Sequence, residues 1–175
     1  NGYAYQSKSY RKNRFIFAFH IEMSTAKPMK SLKKFLFEKH YVSIPLTFTA
    51  TNHFAITAKV NGVKGRFILD TGASNTCIDM DKQEVFAMKA KSSEIKAAGA
   101  GAIDMETQIS SGNQIVLGKW KRKRQKIVLF NLVHVNEALS IHDTEPVDGI
   151  IGADILKKGK AIIDYDKRRL YLKKK

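Results

Sequence analysis

Asp70 lies between an apolar run and a tight turn, and this placement suits a carboxyl group that takes part in a reaction. Phe67, Ile68 and Leu69 come directly before it and predict a buried strand. At the end of such a strand, desolvation and hydrogen bonds decide the charge of a carboxyl group. Gly72 allows the backbone to turn sharply just after it. We therefore expect the segment to present the carboxylate and not to hide it.

The residues around Asp70 carry a resemblance to a known family. Asp-Thr-Gly-Ala at 70–73, preceded by apolar residues, resembles the active-site loop of aspartic proteases of the retropepsin-like branch, which includes retroviral, bacterial and cellular enzymes. Residues 148–156, Asp-Gly-Ile-Ile-Gly-Ala-Asp-Ile-Leu, resemble the distal motif of that family, which leads into a short helix. The two motifs stand in the order of the family, and the resemblance extends over residues 42–172.

The resemblance implies a fold and a reaction. The fold is mainly β, a closed and barrel-like domain with one or two short helices and one lobe per chain. The reaction is hydrolysis of peptide bonds, in which one carboxylate activates water while the other, protonated, donates to the scissile carbonyl. The chain supplies one such loop and has no internal repeat, so we expect a homodimer in which each subunit contributes Asp70.

The neighbours of Asp70 receive roles from the same resemblance. Thr71 resembles the family threonine whose hydroxyl bonds across the dimer axis, and Gly72 permits the close backbone approach that this requires. Many pepsin-like enzymes have a serine at the position of Ala73, whose hydroxyl favours the ionised carboxylate. Alanine cannot donate that bond, so we expect activity at an acidic to near-neutral pH, extending nearer neutrality than in relatives with serine.

Residues 93–111 are the candidate flap, a hairpin that closes over the substrate, with a small-residue tip at 97–102 between polar, strand-capable arms. An ordinary flexible hairpin turn would have the same composition, and the position after the active-site loop favours the flap. The candidate substrate-binding residues are therefore Ala73, Gly99, Ala100, Gly101 and Ala102.

Strand-like patterns cover most of the remaining chain. Residues 41–48, 54–60, 63–69, 75–79, 115–117 and 127–135 predict strands, and 161–165 with 169–172 predict a terminal hairpin. Asn61-Gly62 predicts a two-residue hairpin turn, and 81–90 predicts a helix or helical turn. Asp148 is expected to orient a turn, and Asp154 to begin the short helix, where an acid suits the helix dipole. Neither is expected to be a second catalytic acid.

Charge separates two parts of the chain. We expect residues 1–40 to form a basic, partly ordered extension and residues 41–175 to form the protease domain. The net charge of +15 indicates affinity for nucleic acid, anionic membrane surfaces or acidic proteins. Six of the eight residues at 119–126 are basic, and Trp120 among them would be available for stacking. A solvated hairpin tip is the alternative for this run.

Other classes of function find little support in the sequence. Cys77 is the only cysteine, which excludes an intrachain disulfide and predicts a buried, inert thiol in a reducing compartment. No metal site and no cofactor are expected. No apolar stretch approaches the length of a membrane-spanning helix, so we expect a cytoplasmic protein, with peripheral membrane attachment through Phe15, Phe17 and Phe19 as a weaker alternative.

The alternative function is a catalytically silent dimer of the same fold that binds nucleic acid or an acidic protein. Intact Asp70, Thr71 and Gly72 argue against it, because a binding module has no need for them.

Overall fold

Strands dominate the chain, as the alternating apolar pattern predicts. The computed structural model describes residues 31–99 and 102–174, and for 94–99 and 102–105 it describes the backbone only. The strands are β1 Tyr41–Pro45, β2 Thr47–Phe48, β3 Phe54–Val60, β4 Val63–Leu69, β5 Cys77–Asp79, β6 Ala90–Gly99, β7 Ala102–Leu117, β8 Trp120–Phe130, β9 Gly149–Ile151, β10 Ile162–Asp164 and β11 Arg169–Lys173. The α-helices are α1 Leu32–Glu38, α2 Val133–Ser140 and α3 Ala153–Lys158, and Met80–Lys82 forms a 3-10 turn.

Six strands close into a barrel in the order β3, β4, β9, β5, β8, β7. Closure comes from a short antiparallel pairing between β7 and β3, where Lys59 faces Val116 and Val60 faces Ile115. Strands β2 and β6 extend this sheet beyond β3 and β7, and β1, β11 and β10 form a separate three-stranded sheet. The predicted fold class, a mainly β and barrel-like domain with few short helices, is confirmed.

A tight hairpin turn determines the register of the strand that leads to Asp70. Asn61 and Gly62 both have positive φ, 49° and 93°, which is the backbone of a two-residue turn that matches strand twist. Beyond the turn, β3 and β4 pair along their full length, from Val60 opposite Val63 to Phe54 opposite Leu69. The predicted hairpin is confirmed, and its register fixes where β4 ends.

Both faces of β4 are covered by apolar side chains. Phe67 and Leu69 point into the barrel core. Ile68 points to the other side and packs in a second buried cluster with Leu139 and Val147, which lie on α2 and the loop after it. A strand held on both faces gives the residue after it a fixed position, because packed interiors deform little.

Three predictions about β8 are wrong. The strand predicted at 127–135 ends at Phe130, because the Asn131 side chain accepts a hydrogen bond from Val133 N at 2.7 Å and a helix starts there. The run at 119–126 is not a hairpin tip, since all but its first residue belong to β8. Trp120 is also not available for stacking, because it is 1% exposed and its Nε1 donates to Lys173 O at 3.1 Å.

Other elements match their predictions more closely. The predicted helical segment at 81–90 consists of the 3-10 turn and the turns that follow it, up to Ala87. The terminal hairpin is present as β10 and β11. Within the predicted extension, α1 buries Leu36, and residues 1–30, including the three phenylalanines considered for membrane attachment, lie outside the described part. Among the described helices, none has the length and apolar character needed to cross a bilayer.

Candidate active site

Asp70 lies directly after β4, at the start of an exposed loop that we call the Asp70 loop (residues 70–76). Strand β4 runs parallel to β9, with Leu69 opposite Ile151, and Asp70 N donates to Ile151 O at 3.0 Å. Gly72 N donates to Asp70 Oδ1 at 2.7 Å, so the side chain is fixed by the turn that follows it. The carboxyl group is half-buried, while Thr71 and Gly72 are exposed.

The distal motif packs directly against the Asp70 loop. Ala153 N donates to Ala73 O at 2.7 Å. A Cβ atom added at Gly152 would lie 2.6 Å from the carbonyl group of Asn75 and 2.8 Å from Ala73 O. Only glycine allows this approach of two backbones, because real Cβ contacts are longer. The two segments that are far apart in sequence therefore form one structural unit.

Thr76, which no sequence pattern singled out, joins these two segments. The side chain is fully buried. Thr76 N and Oγ1 donate to Asp154 Oδ1 at 2.8 and 2.7 Å, and Oγ1 accepts from Gly152 N at 3.1 Å. A signal was present in the sequence, since Gly152 precedes the helix and offers no side chain to satisfy the amide groups there.

The two acids of the distal segment both accept hydrogen bonds from backbone N–H groups, those of Arg66 and Thr76. Asp148 Oδ2 accepts from Arg66 N at 2.8 Å, and its own N–H donates to Arg66 O at 2.8 Å. Asp148 O also accepts from Asp79 N at 2.9 Å, which ties the start of β9 to the end of β5. Asp154 lies in the first turn of α3, as predicted, and additionally holds Thr76.

Of the candidate flap residues, Gly99 and Ala102 lie at the described end of the β6–β7 hairpin. Gly99 and Ala102 face each other as the last paired positions, with register irregularities at Ser93–Ala97 and Ala97–Gly99. Ala100 and Gly101 lie outside the described residues. The backbone therefore has the hairpin that the sequence predicts after the Asp70 loop.

Burial determines the chemistry of Cys77. Its side chain is 3% exposed, and desolvation raises the pKa of the thiol to about 12, with nearby carboxylates of Asp154, Asp70 and Asp79 adding to the effect. A hydrogen bond with the Ile150 backbone acts in the opposite direction. The predicted buried, inert thiol is confirmed, since the thiolate is the reactive form.

A cavity of about 770 Å³ lies away from the Asp70 loop and is lined mainly by residues of β3 and β4, together with Glu145 and Asp148. Within the described ranges, no three His, Cys, Asp or Glu side chains come together in a way that could hold a metal ion.

The Thr76 contacts predict a large effect of one hydroxyl group on stability. Replacing Thr76 by valine keeps the shape but leaves Gly152 N–H without its acceptor, so we expect a loss of about 2–3 kcal/mol in the free energy of unfolding. Urea denaturation followed by far-ultraviolet circular dichroism measures it. Thr76→Ser, which keeps the hydroxyl, is the control and should lose clearly less. Equal losses in both variants would contradict the role of the hydroxyl.

The raised pKa of Cys77 predicts slow thiol labelling in the folded state. Between an ordinary pKa of 9.0 and one of about 12, the thiolate fraction at pH 8 falls roughly a thousandfold. A disulfide reagent should therefore react in denaturant and hardly at all without it, with Cys77→Ala as the blank. Because folding raises this pKa, the contribution of the thiol to stability is complete below pH 9 and declines as the pH rises toward 12. Rapid labelling of folded protein would contradict the burial.

Comparisons with known proteins agree with this geometry. A family model described as "Aspartyl protease" matches residues 56–155, which is more than half of the chain. A search among curated proteins gave no match. A retropepsin-like aspartic protease from Rickettsia conorii has a similar structure, with 24% identity, a TM-score of 0.50, and coverage of 75% of this chain and 89% of the other.

Two further solved structures are similar at lower scores. The EIAV protease bound to an inhibitor has 17% identity and a TM-score of 0.46, covering 69% of this chain and 92% of its own. The retroviral protease-like domain of Ddi1 from Leishmania major has 16% identity and a TM-score of 0.47, covering 67% and 86%. By the match of the family model and by its barrel, the chain belongs to the aspartyl protease family and has the retropepsin-like fold.

Proposed function

We propose that this protein is an aspartic endopeptidase and that Asp70 is its catalytic residue. The observation that carries the proposal is the half-buried carboxyl group of Asp70, which accepts the Gly72 N–H bond at 2.7 Å beside the exposed residues Thr71 and Gly72. A carboxylate that is fixed in place and open to a ligand can bind and polarise a water molecule. No cofactor is needed for this reaction.

The reaction needs a second carboxyl group, and we propose that a second copy of the chain supplies it. In a homodimer with two-fold symmetry, a residue near the axis lies next to its own copy. Two Asp70 side chains would then share one proton, so that one activates water and the other donates to the scissile carbonyl oxygen. The exposure of Thr71 and Gly72 supports this arrangement, because both are free to contact a partner. Thr71 would bond across the axis.

Substrate would lie between the Asp70 loop and the β6–β7 hairpin. Ala73 is half-exposed and its carbonyl is already used by Ala153 N, so we assign its Cβ to contact with the peptide. The hairpin end at 99–102 would close over the peptide and bond to it through backbone groups. Small residues suit this contact because they let backbones approach each other closely.

Replacing Asp70 by asparagine tests the function. The amide cannot serve as general base, so we expect cleavage of an unbiased peptide library to fall by at least about a thousandfold. Mass spectrometry of the products measures it, and a pepstatin-type inhibitor should reduce the wild-type rate. Asp81→Asn, an exposed acid outside the loop, is the matched control and should retain full activity. Equal cleavage by wild type and Asp70→Asn would exclude the proposal.

Replacing Ala73 by serine tests the origin of the pH dependence. A hydroxyl group that donates to the ionised carboxylate stabilises it, so the acidic limb of the pH profile should move down by roughly half a unit to one unit. The profile of kcat/KM against pH measures the shift for the dyad as a whole. Ser74→Ala, which removes a neighbouring hydroxyl, should leave the acidic limb in place. An unchanged limb in Ala73→Ser would contradict the argument.

A further inference from the structure

Strand β8 carries an exposed row of basic side chains, which we call the basic strip: Lys121, Lys123, Arg124 and Lys126. On the opposite face of the strand, Trp120, Gln125 and Ile127 are buried. The adjacent exposure of Lys123 and Arg124 breaks the alternation of a regular strand.

A β-bulge produces this break. Ile115 pairs with Arg122 and Asn113 pairs with Gln125, so β8 has one residue more than β7 between these pairs. Arg124 takes up the difference with a φ of 56°, in the left-handed region that a side chain with a Cβ rarely adopts. The bulge adds one more positive charge to the exposed face.

The charge of the basic strip is not compensated by its neighbours. The part of β7 that pairs with β8, residues 108–117, contains no Asp or Glu. The ion pairs of the described residues involve Arg66, His134 and Lys167, and none includes the strip. On the opposite face of β8, Gln125 Oε1 accepts a hydrogen bond from Lys158 Nζ at 2.8 Å, so that face also offers the strip no negative charge. Repulsion between like charges is therefore unrelieved within the described chain, and an anionic ligand would relieve it.

The basic strip leads to the Asp70 loop. Strand β8 runs parallel to β5, with Cys77 opposite Val128, and Val128 N donates to Thr76 O at 3.1 Å. In a parallel pair, residues before Val128 lie at the same end as residues before Cys77, which are those of the Asp70 loop. Lys126 is therefore the member of the strip nearest to this loop, and the other members extend away from it.

We propose that the basic strip binds an acidic stretch of the protein substrate, next to the bond that is cut. This inference rests on the proposed function, because it assigns a substrate class to the same site. Alternate residues of a strand are about 7 Å apart, which equals the spacing of alternate side chains in an extended peptide, so Lys121 and Lys123 can each meet one carboxylate, and the bulge adds Arg124 beside them. Nucleic acid fits less well, because Trp120 is buried and the strip offers no aromatic ring on which a base could stack.

Tailed peptides test the proposal. A peptide that the wild type cleaves is extended by four Glu or, as a control, by four Gln, on either side of the cleaved bond. We expect the better-placed Glu tail to raise kcat/KM about five- to tenfold at low salt, mainly through KM. The gain should vanish near 0.5 M NaCl, about where screening removes exposed charge interactions.

Charge reversal locates the effect. The variant K123E/R124E/K126E should lose the gain from the Glu tail and keep the wild-type rate with the Gln tail. The matched control K34E/K64E/K89E makes the same change in net charge at exposed lysines outside the strip and should keep the gain. Thermal unfolding checks that both are folded, and Lys126→Gln, a milder change, should reduce the gain partially.

The outcomes separate this inference from the proposed function. Cleavage that depends on Asp70 but is equal for Glu and Gln tails would overturn the inference alone. If no peptide is cleaved, the anisotropy of a labelled Glu-rich peptide measures binding directly. Binding that K123E/R124E/K126E abolishes and K34E/K64E/K89E keeps would support the strip as the binding site. The absence of binding would overturn the inference. If a labelled oligonucleotide binds through the strip and the Glu tail has no effect, the strip is a nucleic-acid site. That result would also overturn the inference.

Discussion

The Asp70 loop depends on the contact between the Gly152 backbone and residues 73–75. A Cβ at Gly152 would meet the Asn75 carbonyl at 2.6 Å, so the two chain segments approach each other more closely than any residue with a Cβ would allow. The Ala153 N–H bond to Ala73 O closes the contact on one side, and the Thr76–Asp154 bonds close it on the other. All of these bonds lie within one chain.

The barrel supports this contact from behind. Leu69 and Ile151 are neighbours in a parallel pair, and Asp70 N and Ala153 N continue the hydrogen bonding just beyond the ends of their strands. Packed strands therefore fix the positions of both segments. Asp148 fixes the start of the distal segment through its hydrogen bond with Arg66 N. A loop that must place one carboxylate accurately is thus attached to rigid elements at both ends.

The sequence predicted the strands and the Asp70 loop because their signals are local. Each signal indicates only the structure of the residues that carry it. The signals are the alternating apolar residues, Asn61-Gly62 and the Asp-Thr-Gly-Ala run. The contacts of Thr76 and the burial of Trp120 escaped prediction because each depends on a partner far along the chain. The bulge at Arg124 escaped because it depends on the register with β7. A basic run around a tryptophan predicts an exposed surface. Only the hydrogen bond from the indole N–H to Lys173 O shows that the ring faces inward.

The single tryptophan of the chain has a use of its own. Trp120 is buried, its indole N–H bonds to the backbone of β11, and the Arg122 guanidinium lies 5.1 Å from its ring centre. It therefore connects the barrel to the terminal three-stranded sheet at one point. Its emission spectrum is an intrinsic optical sensor of the junction between the two sheets, because separation would bring water to the indole and shift the emission to longer wavelength.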